Sequence, residues 1–415
     1  MESENSTFQD FTVFTLPCGL RVMHQHSHTP VSYCGYAVDC GTRDELPHQG
    51  GMAHYVEHLL FKGTERRRAW HILNRMEAVG GDLNAFTNKE ETMVYATFLQ
   101  EHFQRAAELL TDIVFHSVFP QREMDREVEV VCDEIESYQD TPSEQIFDDF
   151  EDLLFRGHPL GRNILGDPAQ LRGYRSADVQ AFFRRHYHPQ NMVFFVRGSM
   201  SPERVQRIME RLCPPSAFGP WQPVERTVPA PGEPFRVHQD RGTHQAHVLL
   251  GTRTYASGNP RRTPLYLLNN LLGGPGMNSR LNVSLRERRG LVYTVESALS
   301  SYTDTGVFSI YFGADQADVS RCLRLCREEL DRVMQHALTP AQLGAALKQL
   351  KGQIGVSTDN FENTLLDTAK AYLHYGVVET PQDIYRRLDA LTPQLLLDTA
   401  QELFSPEKES LLVFE

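Results

Sequence analysis

Residues 50–64 read GGMAHYVEHLLFKGT, an apolar stretch between glycines that contains two histidines and a glutamate. Apolar residues recur at helical spacing over 52–62, with no glycine or proline among them, which predicts a helix. Residues four apart share one face of a helix, so His54 and His58 can present ring nitrogens to one point. Glu57 leans toward the same side. Two imidazoles beside a carboxylate suit a zinc ion with a poised general base.

The pentapeptide His-x-x-Glu-His is short enough to arise by chance on a solvated helix face. Its context favours a metal site instead. The apolar run Leu59-Leu60-Phe61 follows directly, so a helix expected in the core carries two histidines and a glutamate. Buried ionisable groups need a partner or a metal ion. The pentapeptide is also the inverzincin motif, the reversed form of the common zinc-peptidase pattern.

Length and composition set the broad class of the protein. A chain of 415 residues is too long for one ordinary core and predicts two or three domains. The apolar fraction of 40% and the charged fraction of 23% are those of an ordinary globular protein. The formal net charge of −13 argues against a nucleic-acid or anionic-membrane partner. No apolar run approaches the length needed to span a bilayer.

The polar, acidic N-terminus has no basic, apolar or amphipathic leader pattern, which predicts a cytoplasmic protein. The seven cysteines are an odd number without a Cys-x-x-Cys pair, which favours free thiols in a reducing compartment.

The order of predicted elements repeats along the chain. Strands, a helix, strands, further helices and a last strand follow one another twice, with a period of about 200 residues. The sequence therefore predicts an α+β protein of two tandem homologous α/β domains, each a mostly antiparallel sheet packed against helices. The boundaries are an N-terminal domain at 1–213, a proline-rich linker at 214–235 and a C-terminal domain at 236–415. The second copy lacks His-x-x-Glu-His, which predicts one zinc per chain.

A catalytic zinc usually takes a third protein ligand. The predicted helix over 122–138 carries five glutamates, of which Glu127 and Glu134 lie seven residues apart on one face, next to Val131 and Ile135. Carboxylates on a half-buried face are unusual. The spacing does not choose between Glu127 and Glu134.

Several longer motifs resemble the pitrilysin or insulin-degrading-enzyme-like metallopeptidases. The chain is most similar to their short subfamily, which includes mitochondrial processing peptidase and bacterial relatives, and the similarity runs almost end to end. The motifs that carry it are GMAHYVEHLLFKGT at 51–64, GGDLNAFT at 80–87, VVCDEI at 130–135, DTP at 140–142, HPLGR at 158–162, SRL at 279–281 and RERRGLVY at 286–293.

The resemblance implies a role for particular residues around the metal. Glu134 occupies the position of the family's third ligand, beside His54 and His58. Glu127 occupies the position of a supporting glutamate that holds a ligand histidine in one tautomer. Glu57 would take the proton from a zinc-activated water and return it to the leaving amine. Because the histidine ligands must be neutral, activity is expected to fall in acid.

The resemblance also implies how substrate is held. Arg286 and Tyr293 match the family's substrate-contacting pair, with Arg286 binding a carbonyl or carboxyl group and Tyr293 stabilising the oxyanion. Asn84 and Ala85 match the strand segment against which the family lays its peptide substrate.

In the family, a chain of this length supplies one half of a clamshell. A closed chamber then needs two chains, and Arg286 and Tyr293 act on the metal site either in cis or in trans. Because this chain carries both the zinc set and the Arg–Tyr pair, a homodimer is expected, with a heterodimer as the alternative. The function implied is a zinc endopeptidase for peptides and unfolded segments. The alternative is a non-catalytic or heterodimeric partner subunit of a processing-peptidase-like complex.

Overall fold

The computed structural model describes residues 6–8 and 11–415, with side chains from residue 11 onward. The chain forms two compact units, and each draws on separate stretches of sequence. The first unit consists of Met1–Ile135, Arg162–Arg226 and Asn360–Glu379, and the second of Glu136–Gly161, Thr227–Asp359 and Thr380–Glu415.

The described strands and helices alternate along the chain much as predicted. The strands are β1 (Ser6–Phe8), β2 (Phe11–Thr15), β3 (Arg21–His26), β4 (Val31–Val38), β5 (Asp82–Thr87), β6 (Thr92–Leu99), β7 (Met192–Gly198), β8 (Arg236–Gln239), β9 (Ala246–Thr254), β10 (Val292–Ser301), β11 (Gly306–Ala314) and β12 (Ser410–Phe414). The α-helices are α1 (Met52–Leu60), α2 (Ala69–Glu77), α3 (Phe103–His116), α4 (Gln121–Gln139), α5 (Pro142–Leu154), α6 (Pro168–Gly173), α7 (Ser176–His186), α8 (Pro202–Leu212), α9 (Arg262–Gly273), α10 (Val319–Gln335), α11 (Pro340–Ser357), α12 (Phe361–Tyr375), α13 (Pro381–Asp389) and α14 (Pro393–Leu403).

The two sheets share one topology. The first has the order β1-β2-β3-β7-β4-β6-β5 and the second the order β10-β11-β9-β12-β8. Read from the parallel pair, β3-β7-β4-β6-β5 corresponds strand for strand to β8-β12-β9-β11-β10. In each, only that first pair is parallel, and the remaining neighbours are antiparallel. The predicted α+β class and the repeat of one sheet-and-helix unit are therefore confirmed.

The central strands of the first sheet are buried on both faces. Neighbouring residues such as Phe194 and Phe195 of β7 point to opposite faces, because side chains alternate along a strand. Phe194 joins the core formed with α1 and α3, whereas Phe195 joins a second core with Leu365 and Leu373 of α12. This double burial explains why β7 is a nearly continuous apolar run rather than an alternating one.

The second sheet is covered in the same way. One face packs against α9 and α10, and the other against Phe150 and Leu154 of α5 through Leu249 and Leu412. Each compact unit therefore takes one covering helix from the other half of the sequence. The predicted homologous domains at 1–213 and 236–415 are each continuous in sequence. Their boundaries remain a prediction.

The sequence did not predict α6 and α8 in the first repeat, or β8 at the start of the second. The predicted linker contains no helix or strand longer than the 3₁₀ turn Pro215–Ala217. One of its residues is nonetheless fixed in the first unit, because Arg226 donates two hydrogen bonds to Asp44 and lies 2.7 Å from Asp39. None of the helices in the described part of the chain is both long and apolar enough to cross a membrane.

The buried carboxylate of Glu91 anchors α12 in the first unit. It lies 2.6 Å from Lys370 Nζ and 3.2 Å from His374 Nε2. Burial alone would raise the pKa of Glu91, but these two partners outweigh it and lower the pKa to about 2. The carboxylate therefore stabilises the fold above its unfolded pKa, and that contribution is lost as the pH falls from about 4.5 to 2.

We expect Glu91→Gln to lower the free energy of unfolding at pH 7 by up to about 3 kcal/mol, and to flatten its loss between pH 5 and pH 2. Urea unfolding at several pH values measures both effects. Glu101→Gln is the matched control, because the Glu101 side chain is 75% exposed. A Glu91→Gln protein with the acid dependence of the unmodified chain would contradict the assignment.

Candidate metal centre

The start of α1 is held in place by its neighbours. Gly51 adopts the left-handed conformation with φ of 77°, and a Cβ there would lie 2.7 Å from the carbonyl oxygen of Leu165. The Glu45 carboxylate accepts hydrogen bonds from the N–H groups of Gly51 and Ala53, which satisfies two free donors of the helix. Burial raises the pKa of Glu45 to about 8, and these two hydrogen bonds oppose that rise. These contacts orient the helix that carries the predicted ligands.

The structure brings His54, His58 and Glu134 together. Their ligand atoms all lie within 4.8 Å of one another. Oε2 of Glu134 lies 3.8 Å from Nε2 of His54 and 3.4 Å from Nε2 of His58. The ring centroids of the two histidines are 4.7 Å apart. The i, i+4 spacing predicted from the sequence therefore converges on one point with a carboxylate from α4.

The two histidines differ in electrostatic environment. Burial, and then the neighbouring His58, lower the pKa of His54 to about 3, so His54 is neutral near pH 7. Burial also disfavours the charged form of His58, but the hydrogen bond to Glu127 and the nearby carboxylates of Glu57 and Glu134 outweigh burial and raise its pKa. A neutral imidazole is the form that binds a metal ion.

The donor set fits a catalytic zinc ion. Two imidazole nitrogens and one carboxylate oxygen are a known catalytic combination, and three protein ligands leave a position for water or substrate. The Glu134 side chain is 45% exposed, whereas that of His54 is 9% exposed, so the site is open on the Glu134 side. Within the described residues, no other group of three His, Cys, Asp or Glu side chains converges this closely.

Glu127 and Glu134 of α4 occupy different positions around the histidines. Glu134 faces Nε2 of both rings, whereas Oε1 of Glu127 lies 3.0 Å from Nδ1 of His58. Nζ of Lys62 lies 2.5 Å from the other oxygen of Glu127. Lys62 lies two residues beyond the end of α1, and its spacing of four from His58 in the predicted helix over 52–62 could have identified it. Glu127 thus fixes the His58 ring so that Nε2 stays available for a metal.

We expect Glu127→Ala to weaken zinc binding by about 10- to 100-fold, because an outer partner that orients a ligand histidine typically contributes that much. Competition with a chromophoric chelator measures the affinity. Glu123→Ala, one turn earlier on α4, removes the same charge without a contact to a ligand histidine and should bind zinc normally. Equal affinity in both variants would show that Glu127 does not support the site.

Glu57 points toward Thr87 at the end of β5. The Thr87 hydroxyl donates a hydrogen bond of 2.9 Å to Oε2 of Glu57, a contact that the sequence reading missed. Burial raises the pKa of Glu57, and the hydrogen bond from Thr87 opposes that rise. A carboxylate with a raised pKa is better matched to proton transfer near neutral pH.

Asn84 and Ala85 lie on β5, an edge strand of the first sheet. In the described part of the chain β5 pairs only with β6, so its other edge can offer backbone N–H and C=O groups to an added strand. Thr87 ends this same strand, which brings the free edge close to Glu57.

Arg286 and Tyr293 belong to the second unit, where they contact each other. Arg286 lies in the π-helical turn Asn282–Glu287, and its guanidinium carbon is 5.8 Å from the centroid of the Tyr293 ring. Tyr293 is 82% exposed at the start of β10. The substrate-binding role of this pair remains a prediction.

Comparison with known sequences places the chain in a family. Residues 21–168 match the profile described as Insulinase (Peptidase family M16), and residues 175–350 match the profile described as Peptidase M16 inactive domain. An uncharacterised zinc protease of Streptomyces coelicolor is 34% identical over 398 residues, which cover 94% of this chain and 86% of that protein. The chain belongs to peptidase family M16. His54, His58 and Glu134 all fall in the first matched region.

Other comparisons agree with this assignment. The M16 chain is 30% identical to an uncharacterised zinc protease of Bacillus subtilis, with 95% of this chain and 96% of that protein covered. It superimposes on the peptidase M16 inactive domain from Pseudomonas fluorescens with a TM-score of 0.88 at 20% identity, covering 97% of each chain. A protease from Helicobacter pylori gives a TM-score of 0.87 at 21% identity, covering 98% of this chain and 99% of that one. These two structures share the fold, which confirms the predicted fold class. The sequence matches confirm the predicted family resemblance.

Proposed function

We propose that this M16 protein is a zinc-dependent endopeptidase that hydrolyses peptides and unfolded segments. The observation that carries the proposal is the convergence of His54, His58 and Glu134 on one point, with Glu57 on the same helix as the histidines. The names of the relatives from Streptomyces coelicolor and Bacillus subtilis, both zinc proteases, support the broader class.

In the proposed mechanism, His54, His58 and Glu134 hold one zinc ion per chain. Bound zinc is a Lewis acid that polarises a carbonyl and lowers the pKa of water to about 7. Glu57 accepts the proton of the attacking water and returns it to the nitrogen of the leaving amine. The Thr87 hydroxyl holds Oε2 of Glu57 and so limits rotation of the base. Glu127 keeps the His58 ring in the orientation that leaves Nε2 available.

The substrate is proposed to bind as an extra strand along β5 at Asn84 and Ala85. Such pairing reads the peptide backbone more than its side chains, which suits a broad set of unfolded segments. Arg286 and Tyr293 are proposed to contact the same substrate. Arg286 would bind a carbonyl or carboxyl group of the peptide, and Tyr293 would stabilise the oxyanion that forms from the attacked carbonyl.

A closed chamber is proposed to form from two copies of this chain, because one chain carries both the zinc set and the Arg–Tyr pair. A cytoplasmic location is also proposed. The seven cysteines support it, since all are buried and none forms a disulfide.

Removal of the metal tests the proposal directly. We expect the purified protein to cleave an unstructured peptide, to lose that turnover on dialysis against a chelator, and to regain it with one equivalent of zinc. Mass spectrometry of the products measures cleavage, and metal analysis gives the zinc content. No turnover of a broad peptide set by protein with one bound zinc would favour the non-catalytic partner subunit instead.

A further inference from the structure

The second unit contains a cavity of about 350 Å³ that the proposed peptidase mechanism does not use. This volume lies at the lower end of the range for small-molecule sites. The charged and polar side chains that line it include Arg280, Arg288, Glu329, Arg332, His336 and Gln342. Arg280 belongs to the SRL motif at 279–281, for which the sequence supplied a family resemblance but no role.

The charges around this cavity do not balance. Glu329 is the one carboxylate among its lining residues, and Oε1 of Glu329 lies 2.6 Å from Nη1 of Arg332. Arg280 and Arg288 add two further positive charges to the cavity wall, and the lining carries no second carboxylate. A local excess of cations stands out in a chain whose formal net charge is −13.

Arg280 lines this cavity without a hydrogen-bond or ion-pair partner among the described residues. Its side chain is half-buried, and no described residue accepts a hydrogen bond from it or places a carboxylate within 4.0 Å of its nitrogens. Burial lowers its pKa, and the negative charge of Glu329 opposes that effect only partly. None of its nitrogens is fully buried, so they can donate hydrogen bonds to an acceptor that enters the cavity.

We propose that this cavity binds a small oxyanion, a phosphate or carboxylate group, held by Arg280 and Arg288. The planar guanidinium fork matches the two oxygens of either group and forms paired, charge-assisted hydrogen bonds with them. The oxyanion can belong to a free anion or to the carboxylate of a peptide. The site shares a wall, at Val283 and Ser284, with the π-helical turn that carries Arg286.

Calorimetric titration of the full-length, zinc-loaded protein with pyrophosphate, at constant ionic strength, tests the proposal. We expect one binding event per chain, weakened at least about tenfold in Arg280→Gln and less in Arg280→Lys, which keeps the charge but not the fork. Arg324→Gln is the matched control, because Arg324 is exposed on α10, outside the cavity lining, and carries the same charge. Anion binding at the metal centre would persist in Arg280→Gln, so that variant separates the two sites.

A second titration identifies the source of the oxyanion. A short peptide with a free C-terminal carboxylate is compared with its amidated form, and the same variants are measured. If Arg280→Gln loses the binding of pyrophosphate but not of the peptide, the oxyanion comes from a free anion. If Arg280→Gln loses the binding of the free-carboxylate peptide, the oxyanion comes from a peptide. Absence of binding by both probes, or equal binding by Arg280→Gln and the unmodified chain, would overturn the proposal. Arg288→Gln, at an exposed position, gives the same test if Arg280→Gln fails to fold.

Discussion

Replacement of Glu57 by glutamine is expected to lower peptide turnover by about 10²- to 10⁴-fold, the usual contribution of a general base. Glutamine has nearly the same shape as glutamate and can still accept the hydrogen bond from Thr87. Its amide cannot take up a proton near neutral pH, so only the proton-transfer step is removed. Because Glu57 is not among the three converging ligands, zinc content should stay at that of the unmodified protein.

The comparison requires rates at equal measured zinc content. Glu65→Gln is the matched control, because Glu65 follows the same helix closely and its side chain is 66% exposed. That variant should retain full turnover. Substantial turnover by Glu57→Gln would mean that another group acts as the base. Inactivity of the unmodified protein toward every peptide, with zinc bound, would favour the partner-subunit function.

Replacement of Glu134 by glutamine is expected to remove most of the bound zinc. A neutral amide is a much weaker zinc ligand than a carboxylate, and only His54 and His58 would remain. The loss of affinity should exceed the roughly 10- to 100-fold expected when an outer partner such as Glu127 is removed. Metal analysis of the purified protein and chelator competition measure this effect without any need for activity.

Glu136→Gln is the control for this second prediction. Glu136 is exposed on α4, two residues after Glu134, and its replacement removes the same charge. Zinc binding should be unchanged in that variant. If Glu134→Gln bound zinc as tightly as Glu136→Gln, the third ligand would have to come from elsewhere in the chain.

Local spacing was enough to predict much of the candidate metal centre. Residues four apart on a helix face one direction whatever the rest of the chain does, so His54 and His58 could be paired from the sequence alone. The same reasoning placed Glu127 and Glu134 on one face of α4, but it could not rank them. Their ranking depends on how α4 packs against α1, and that packing is a contact between residues far apart in sequence.

The repeat of strands and helices was also readable from the sequence, because apolar periodicity and turn residues are local signals. The sheets against which α5 and α12 pack could not be read from the sequence. Both helices read as ordinary amphipathic segments of their own halves, yet α5 packs in the second unit and α12 in the first. An amphipathic pattern predicts that a helix buries one face, but it does not predict which sheet that face packs against.

Patterns in the amino-acid sequence were therefore sufficient to predict the family resemblance, the two copies of one sheet-and-helix unit and the histidine pair of α1. The packing of elements distant in sequence places Glu134 beside Nε2 of both histidines and Glu127 beside Nδ1 of His58. It also brings the Thr87 hydroxyl to Glu57. The physical reason is the range of the interactions. Helical periodicity acts over a few residues, whereas the position of a side chain around a metal site depends on the packing of whole elements.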